Sequence, residues 1–367
     1  MIGSSWVISL VITLVMMILS ICAILIFGTL ENEGMNLFVR WAGVTLLLML
    51  PSFVATSILQ AEQYFDKLLY VRILQLGLSV IGLLLLLAFD KVNVDNLIYS
   101  NLFAATITSI ATVVKGWTRV NDVKYKTLSC IKELAHFGKY SVSSQIGATL
   151  LGNTDVLIIN YMIGPAALAV YNLAQRFMMV VHLLIGSSVA TAIPALSNAY
   201  NQGDEHSFSS LLKKYIGTLS WAMIPIIGCV VLLAEIPIYL LGGEKYLNTE
   251  AANLLRISIT LSLFFPIDRF SGIALDIINR PKINLIKVFI MLIVNVVFDF
   301  IGLYVTDSIY GVALASIATV AAGATYGYVQ IREYTNMSII NIVEVGFLEG
   351  KALINQGLNF FRSVPNT

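Results

Sequence analysis

Ten apolar stretches, each about long enough to cross a bilayer, follow one another along this chain with little polar sequence between them. A membrane-spanning helix needs roughly 20 mostly apolar residues to cross about 30 Å of hydrocarbon. The stretches are 5–29, 37–59, 69–89, 96–114, 140–163, 166–194, 215–241, 251–278, 283–305 and 309–330. Runs such as Gly82 to Ala88 hold five consecutive leucines and do not alternate, so the spans read as helices and not as strands of a closed barrel. The expected fold is an all-α polytopic membrane protein whose work is done inside the bilayer. Charged residues make up only 12% of the chain, about half the share of a soluble domain, so a charge inside a span stands out.

The basic residues orient the spans. If the loop at 115–139 is cytoplasmic (Lys115, Arg119, Lys124, Lys126, Lys132, Lys139), every second loop shares its side. Lys67, Arg72, Lys213, Lys214, Arg280, Lys282, Lys287, Arg332, Lys351 and Arg362 then join it, giving 16 of the 22 basic residues. The opposite side keeps Lys91, Lys245 and Arg40, with Glu31, Glu33, Asp90, Asp95, Glu244 and Glu250. Positive-inside asymmetry of this kind puts both termini in the cytoplasm. The expected organisation is an N-terminal bundle of four spans at 1–114, the basic loop at 115–139, a C-terminal bundle of six spans at 140–330, and a cytoplasmic or interfacial tail at 331–367. Phe208, Leu211 and Leu212 suggest a short interfacial helix within 195–214. Many transporters consist of two related halves, so a division into four and six suggests a chain without two helices at its start.

Cys22, Cys130 and Cys229 show no metal-ligand spacing and are not expected to form disulfides. No metal, cofactor or nucleic-acid motif stands out. With no nucleophile elbow and no phosphate-binding loop followed by Lys, the chain is not expected to be an enzyme.

The informative residues are polar ones inside spans. In the fifth span, Ser141, Gln145, Ala148, Gly152 and Asp155 share one helical face. Small residues on a face commonly pack helices; Gln145 and Asp155 point to an ion or substrate contact, unless Asp155 is tied to a hydroxyl or Arg of a neighbouring helix. In the sixth span, Asn172, Gln175, Arg176, His182 and Gly186 are polar or small, and Gln175 and His182 share a face. Arg176 is about ten residues, or roughly 15 Å, from the outer end. At that depth it either contacts an anion or pairs with an acid such as Asp155. The eighth span carries Arg256, Pro266, Asp268, Arg269 and Asp276, with Ser262, Arg269, Gly272 and Asp276 on one stripe. Pro266 is expected to kink it. Asp276 and Arg280 are placed to form an i,i+4 pair, and Arg256 to snorkel. In the ninth span Asn295, Asp299 and Gly302 form a further stripe, with Asp299 either functional or an acid near the outer surface.

One stretch resembles a known family. Asp155-Val-Leu-Ile-Ile-Asn-Tyr-Met-Ile-Gly164 is followed by Ala169-Val-Tyr171-Asn-Leu-Ala174-Gln-Arg176, then Ile193-Pro194-Ala-Leu-Ser197 and Gly203-Asp204. This resembles the seventh and eighth helices of bacterial polysaccharide flippases of the multidrug/oligosaccharidyl-lipid/polysaccharide exporter superfamily. The order of spans and loops extends the resemblance over nearly the whole chain. Ala169 departs from a frequent family Gly, and the first two of the family's twelve or more helices have no counterpart. The resemblance implies movement of an undecaprenyl-pyrophosphate-linked oligosaccharide, such as an O-antigen unit for lipopolysaccharide, from the inner to the outer leaflet of a bacterial inner membrane. It implies alternating access of two bundles around a cationic cavity. Arg176 and Arg269 are candidates for the anionic head; Asn153, Asn172 and Gln175 for the sugar; Asp155 and Asp299 for coupling to an ion, proton or sodium. Membrane lipid and other polysaccharide assembly proteins are the further partners implied. Competing expectations are a multidrug exporter of the same superfamily, a membrane polysaccharide polymerase or ligase, and a non-functional truncated flippase. Short outward loops weigh against the enzyme, and deep arginines against export of cations.

Overall fold

The computed structural model describes residues 2–27, 33–335 and 337–363. Glu31, and the side chains of Glu33, Arg40 and Arg362, lie outside the described residues. Every regular element among those described is helical: α1 (Ile2–Phe27), α2 (Glu33–Ala61), α3 (Phe65–Ala88), α4 (Val94–Val114), α5 (Leu128–Met162), α6 (Pro165–Asn201), α7 (Glu205–Leu233), α8 (Glu235–Gly242), α9 (Ala251–Leu261), α10 (Phe265–Ile277), α11 (Pro281–Thr306), α12 (Ile309–Thr335) and α13 (Ile339–Ser363). Eight of these are long and apolar enough to cross a membrane, and the bent pair α9–α10 makes a ninth. The chain is therefore an all-α, multi-pass membrane protein. The fifth expected span, α5, is 35 residues long, but its polar stripe leaves it short of that apolar standard.

The chain divides into two compact units, Met1–His136 and Phe137–Thr367. In the first, α1 packs on α2, and α4 lies against both α2 and α3. The start of α1 is pinned to a short 3-10 helix at Val120–Tyr125. Trp6 donates its indole N–H to Thr118 O at 2.8 Å, and a Cβ at Gly3 would meet Asp122 backbone at 2.9 Å. Arg119 closes this end with an ion pair to Glu62 at 2.7 Å.

The second unit is built around α6, α7, the broken α9–α10 element and α12. Apolar positions on facing helices form two core clusters, one around Met178, Ile238 and Leu255, the other around Leu196, Phe208 and Phe270. Phe208 and Leu212 belong to the second core, so 195–214 forms no separate interfacial helix. α6 runs on to Asn201 and α7 starts at Glu205, because those apolar side chains find protein partners rather than a membrane surface. The Gly203 turn (φ +73°) joins the two helices, and the Asp204 carboxylate caps α7 by accepting Ser207 N–H at 2.9 Å.

The eighth span breaks at 262–264 and bends by 47°. Pro266 supplies no N–H for Ser262 O, which instead accepts Phe265 N–H at 3.3 Å; the preceding residues close i−3 bonds of the same type. α11 and α12 form a close hairpin: a Cβ added at Gly302 would come within 2.8 Å of the Gly311 backbone. The tail forms α13, which lies against α7. A Cβ at Gly217 would come within 2.8 Å of Gly346 backbone, Trp221 donates to Val343 O at 3.1 Å, and Lys214 pairs with Glu349 at 2.9 Å.

Candidate functional site: a polar cavity within the second unit

α5 carries serines, glycines and amides on its inward face. These offer little apolar surface to pack, so α5 closes on its neighbours at few points, one being Gly147 against Val288. A cavity of about 860 Å³ opens between α5, α6, α9–α10, α11 and α12. Ser141, Gln145, Ala148, Gly152 and Asp155, the stripe read from sequence, all line it. Asn153, Asn172, Gln175, His182, Arg269, Gly272, Asp276 and Asn295 also reach it. His182 stacks on Phe265 at 4.9 Å, beside the break in the eighth span.

Four expected residues are placed differently. Arg176 is exposed and lies outside the cavity lining, because it is one residue past Gln175 and turns away from that face. It is not paired with Asp155 in the structure. Ser262 is buried in the helix break, where it donates to Ile259 O at 2.6 Å. Asp299 is fully buried behind the wall, so it is not an acid at the outer surface. Gly186 also lies outside the lining.

Asp155, on the cavity wall, meets Asp299, which lies buried behind it. Asp155 accepts the Tyr171 hydroxyl, and Asn295 Nδ2 donates to its other oxygen at 2.9 Å. The Asp299 carboxyl faces that of Asp155 at close range, and neither Asp299 oxygen receives a donor among the described residues. Two carboxylates so placed repel each other, and a shared proton or a small cation removes that repulsion. Asn295 Oδ1, also buried and without a donor among the described residues, could offer such an ion a further oxygen.

A second charged cluster lies along α10, from Asp268 in its first turn to Asp276 near its other end, with Lys287 and Asn284 of α11. Lys287 is 3% exposed and donates to Asp268 Oδ1 at 2.8 Å and Asp268 O at 2.7 Å. The side chain threads between glycines: a Cβ at Gly272 would meet Lys287 Nζ at 3.0 Å, and one at Gly327 would meet Lys287 Cδ at 3.3 Å. Asp276 accepts Asn284 Nδ2 at 3.1 Å. The expected Asp276–Arg280 pair is absent, because Asn279 turns the chain at φ +61° and Arg280 lies over the Tyr334 ring. Arg256 does not snorkel freely. It donates to Val231 O at 3.1 Å and Asn253 Oδ1 at 2.7 Å, and it reaches Glu235 at 3.4 Å.

Sequence reasoning missed Lys287, Asp268, Asn284 and Tyr171 as cavity residues. By sequence alone Lys287 falls among the cytoplasmic charges. Its i+4 and i+8 relation to Met291 and Asn295 places it on the same α11 face, which was the available signal.

The cavity wall is not cationic. Asp155, Asp268 and Asp276 stand against Arg269 and Lys287, and Lys287 is occupied by Asp268. Among the described residues no carboxylate pairs with Arg269.

Comparison with known proteins gives this geometry a context. A family model described as polysaccharide biosynthesis protein matches residues 2–251. The "Probable low-salt glycan biosynthesis flippase Agl15" of Haloferax volcanii is 22% identical over 324 residues, covering 88% of this chain and 67% of that protein. "Uncharacterized membrane protein MJ1068" of Methanocaldococcus jannaschii is 22% identical, covering 83% of this chain and 59% of its own length. The chain thus spans about three-fifths to two-thirds of these relatives. Among solved structures, a MATE protein in complex with MaL6 superposes with a TM-score of 0.80 at 17% identity, covering 91% of this chain and 79% of that one. A Pyrococcus furiosus transporter of the MOP superfamily, described as having a reversed polarity of its binding pocket, gives 0.77 at 15% identity, covering 92% and 79%. The fold is that of the MATE proteins.

Proposed function

The chain belongs to the polysaccharide biosynthesis protein family, and from that membership we propose that it moves a lipid-linked oligosaccharide between membrane leaflets by alternating access, for assembly of a surface glycan at the plasma membrane. The observation that carries this reading is the cavity, whose wall presents amides and hydroxyls to its interior. Such groups match sugar hydroxyls as both donors and acceptors. Asn153, Asn172 and Gln175 contact the sugar. Arg269 at the cavity wall and Arg176 outside it serve the pyrophosphate, whose geometry a guanidinium fork suits. The lipid tail stays in the bilayer. Asp155, Asn295 and Asp299 hold the coupling ion, a proton or sodium, with Tyr171 orienting Asp155. Binding of the ion removes the repulsion between the two carboxylates and favours the conformation that brings them together. In a bacterial cell the product would be an O-antigen unit or a comparable glycan, passed to the other polysaccharide assembly proteins.

Complementation tests the proposal. In cells lacking their own flippase, this chain should restore surface glycan, and Arg176→Ala or Arg269→Ala should reduce it. Absence of any restoration by the unaltered chain, produced and inserted in the membrane, would remove the reading. One observation favours a second reading, export of cationic drugs: the surplus of carboxylates on the wall. Under it, the chain would lower ethidium accumulation in exporter-deficient cells and leave surface glycan unchanged.

A further inference from the structure

We infer that this cavity selects neutral or amino-bearing sugars and rejects acidic ones, and that Asp276 with Ser144 sets this preference. The inference rests on the flippase reading above. It goes beyond it by naming the chemistry of the glycan.

The argument starts from unmet hydrogen bonds. Asp276 has one oxygen held by Asn284 at 3.1 Å; its other oxygen, Oδ1, is buried and receives no donor among the described residues. Ser144 on α5 is 7% exposed, and its hydroxyl likewise has no partner. Both residues line the same cavity. A carboxylate only accepts, so the missing partner of Asp276 must be a donor. A buried polar group left without a partner is unfavourable, and a ligand that completes its hydrogen bonds is selected over one that cannot. Sugar hydroxyls and amino groups supply donors. A uronate carboxylate supplies none.

Charge gives the same answer independently. The protein's own ammonium near Asp276 is that of Lys287, and Asp268 already engages it through two hydrogen bonds at 2.7 and 2.8 Å. The three glycines around this pair leave no slack for a second partner: Gly272 and Gly327 pack on Lys287, and a Cβ at Gly323 would meet Asp268 Oδ1 at 2.9 Å. An entering carboxylate therefore finds Asp276 uncompensated, Asp155 on the same wall and, among the described residues, one unpaired cation on the wall, Arg269. Like charges brought together in a site of this kind act as a filter against the wrong ligand. Arg269 remains available to the pyrophosphate that both the neutral and the acidic form of the proposed substrate carry, so it gives acidic sugars no separate advantage.

The test uses the full chain reconstituted in vesicles. Two polyprenyl-pyrophosphate-linked disaccharides are compared, one of N-acetylglucosamine only and one ending in glucuronate. Movement is read as access of each glycan to an added, membrane-impermeant glycosidase. The expected result is movement of the neutral glycan about tenfold or more faster than the acidic one, the size of effect that repulsion between like charges gives. Asp276→Asn, which keeps the shape and removes the charge, should raise movement of the acidic glycan about tenfold. Ser144→Ala should slow the neutral glycan and leave the acidic one still excluded, which keeps the proposal testable if Asp276→Asn does not fold. Equal movement of both glycans, or preference for the acidic one, overturns this inference and leaves the flippase reading standing. Movement of neither glycan overturns both.

Discussion

Tyr171 on α6 donates its hydroxyl to the Asp155 carboxylate on α5, and the two are the direct polar link between those helices at the cavity's inner corner. Tyr171 is 3% exposed, so its hydroxyl has no solvent alternative. Tyr171→Phe removes one of two donors to Asp155 and should destabilise the protein by about 1–3 kcal/mol. A thermal melt of the purified protein in detergent reads the loss.

Asp155→Asn carries a sharper expectation. If Asp155 and Asp299 share an ion, a ligand that binds the folded state raises its stability by mass action. The wild-type melting temperature should therefore rise either with added sodium or with falling pH. In Asp155→Asn that rise should vanish. A rise that persists in the variant would place the ion elsewhere.

Lys287 and Asp268 form a buried ion pair at 2.8 Å, with side chains 4% and 11% exposed. Removing one member of such a pair leaves an uncompensated charge, at about 3–5 kcal/mol. Lys287→Met should lower the melting temperature more than any other single change proposed here. The double variant Lys287→Met, Asp268→Leu should recover most of the loss, because it buries no charge. If the double variant is as unstable as the single one, the pair's role is packing and not charge balance.

Gly346 lets α13 approach α7. A Cβ there would lie 2.5 Å from Trp221 Cδ1 and 2.6 Å from Gly217 C, and the backbone of Gly217 cannot yield as a side-chain tip can. Gly346→Leu should lift α13 away, break the Trp221 bond to Val343 O, and change Trp221 fluorescence. An unchanged Trp221 environment would show that the contact is not maintained in the membrane.

Asp204 caps α7, and its hydrogen bonds from Ser207, side chain first and backbone second, hold its carboxyl below the ordinary range. A folded-state pKa that lies below the unfolded one stabilises above the unfolded value, about 3.9, and that contribution is lost as pH falls through the folded value. Hydrogen exchange at Ser207 and Phe208 should thus accelerate only at strongly acidic pH. Asp204→Asn, which can still cap, should abolish the pH dependence with little change in exchange at neutral pH.

How much of this was legible in the chain depends on which force decides each feature. Hydropathy fixes the membrane helices: eight follow from apolar length alone, and the break in the eighth expected span follows from Pro266. The stripe on α5 was readable because helical spacing puts Ser141, Gln145, Ala148, Gly152 and Asp155 on one face whatever surrounds them. What spacing leaves open is which direction a face points. Arg176 and Gln175 are neighbours in sequence, and a rotation of about 100° per residue separates a cavity residue from an exposed one. Nor does it reveal partners from distant segments. Lys287 reads as one more positive charge near a helix start until the fold brings Asp268 to it from 19 residues away. Asp299 reads either as a coupling acid or as an acid near the outer surface until α5 delivers Asp155. Charges in lipid are decided by such pairings, and pairings are properties of the assembled bundle.

The hairpin of α11 and α12 has a mechanical consequence. Gly302 and Gly311 press backbone on backbone at its turn, so the two arms cannot scissor there. Any movement of the hairpin would therefore carry both arms as one lever, with its pivot at the turn. Lys287, Asn295 and Asp299 ride on one arm, and Thr319 and the glycines at 323 and 327 on the other. A small tilt at the turn would be magnified along helices 26 and 27 residues long, and it would displace the Lys287 cluster farther than the Asp299 corner. Under the proposed function, loading an ion near the fulcrum would move the cavity wall at the far end.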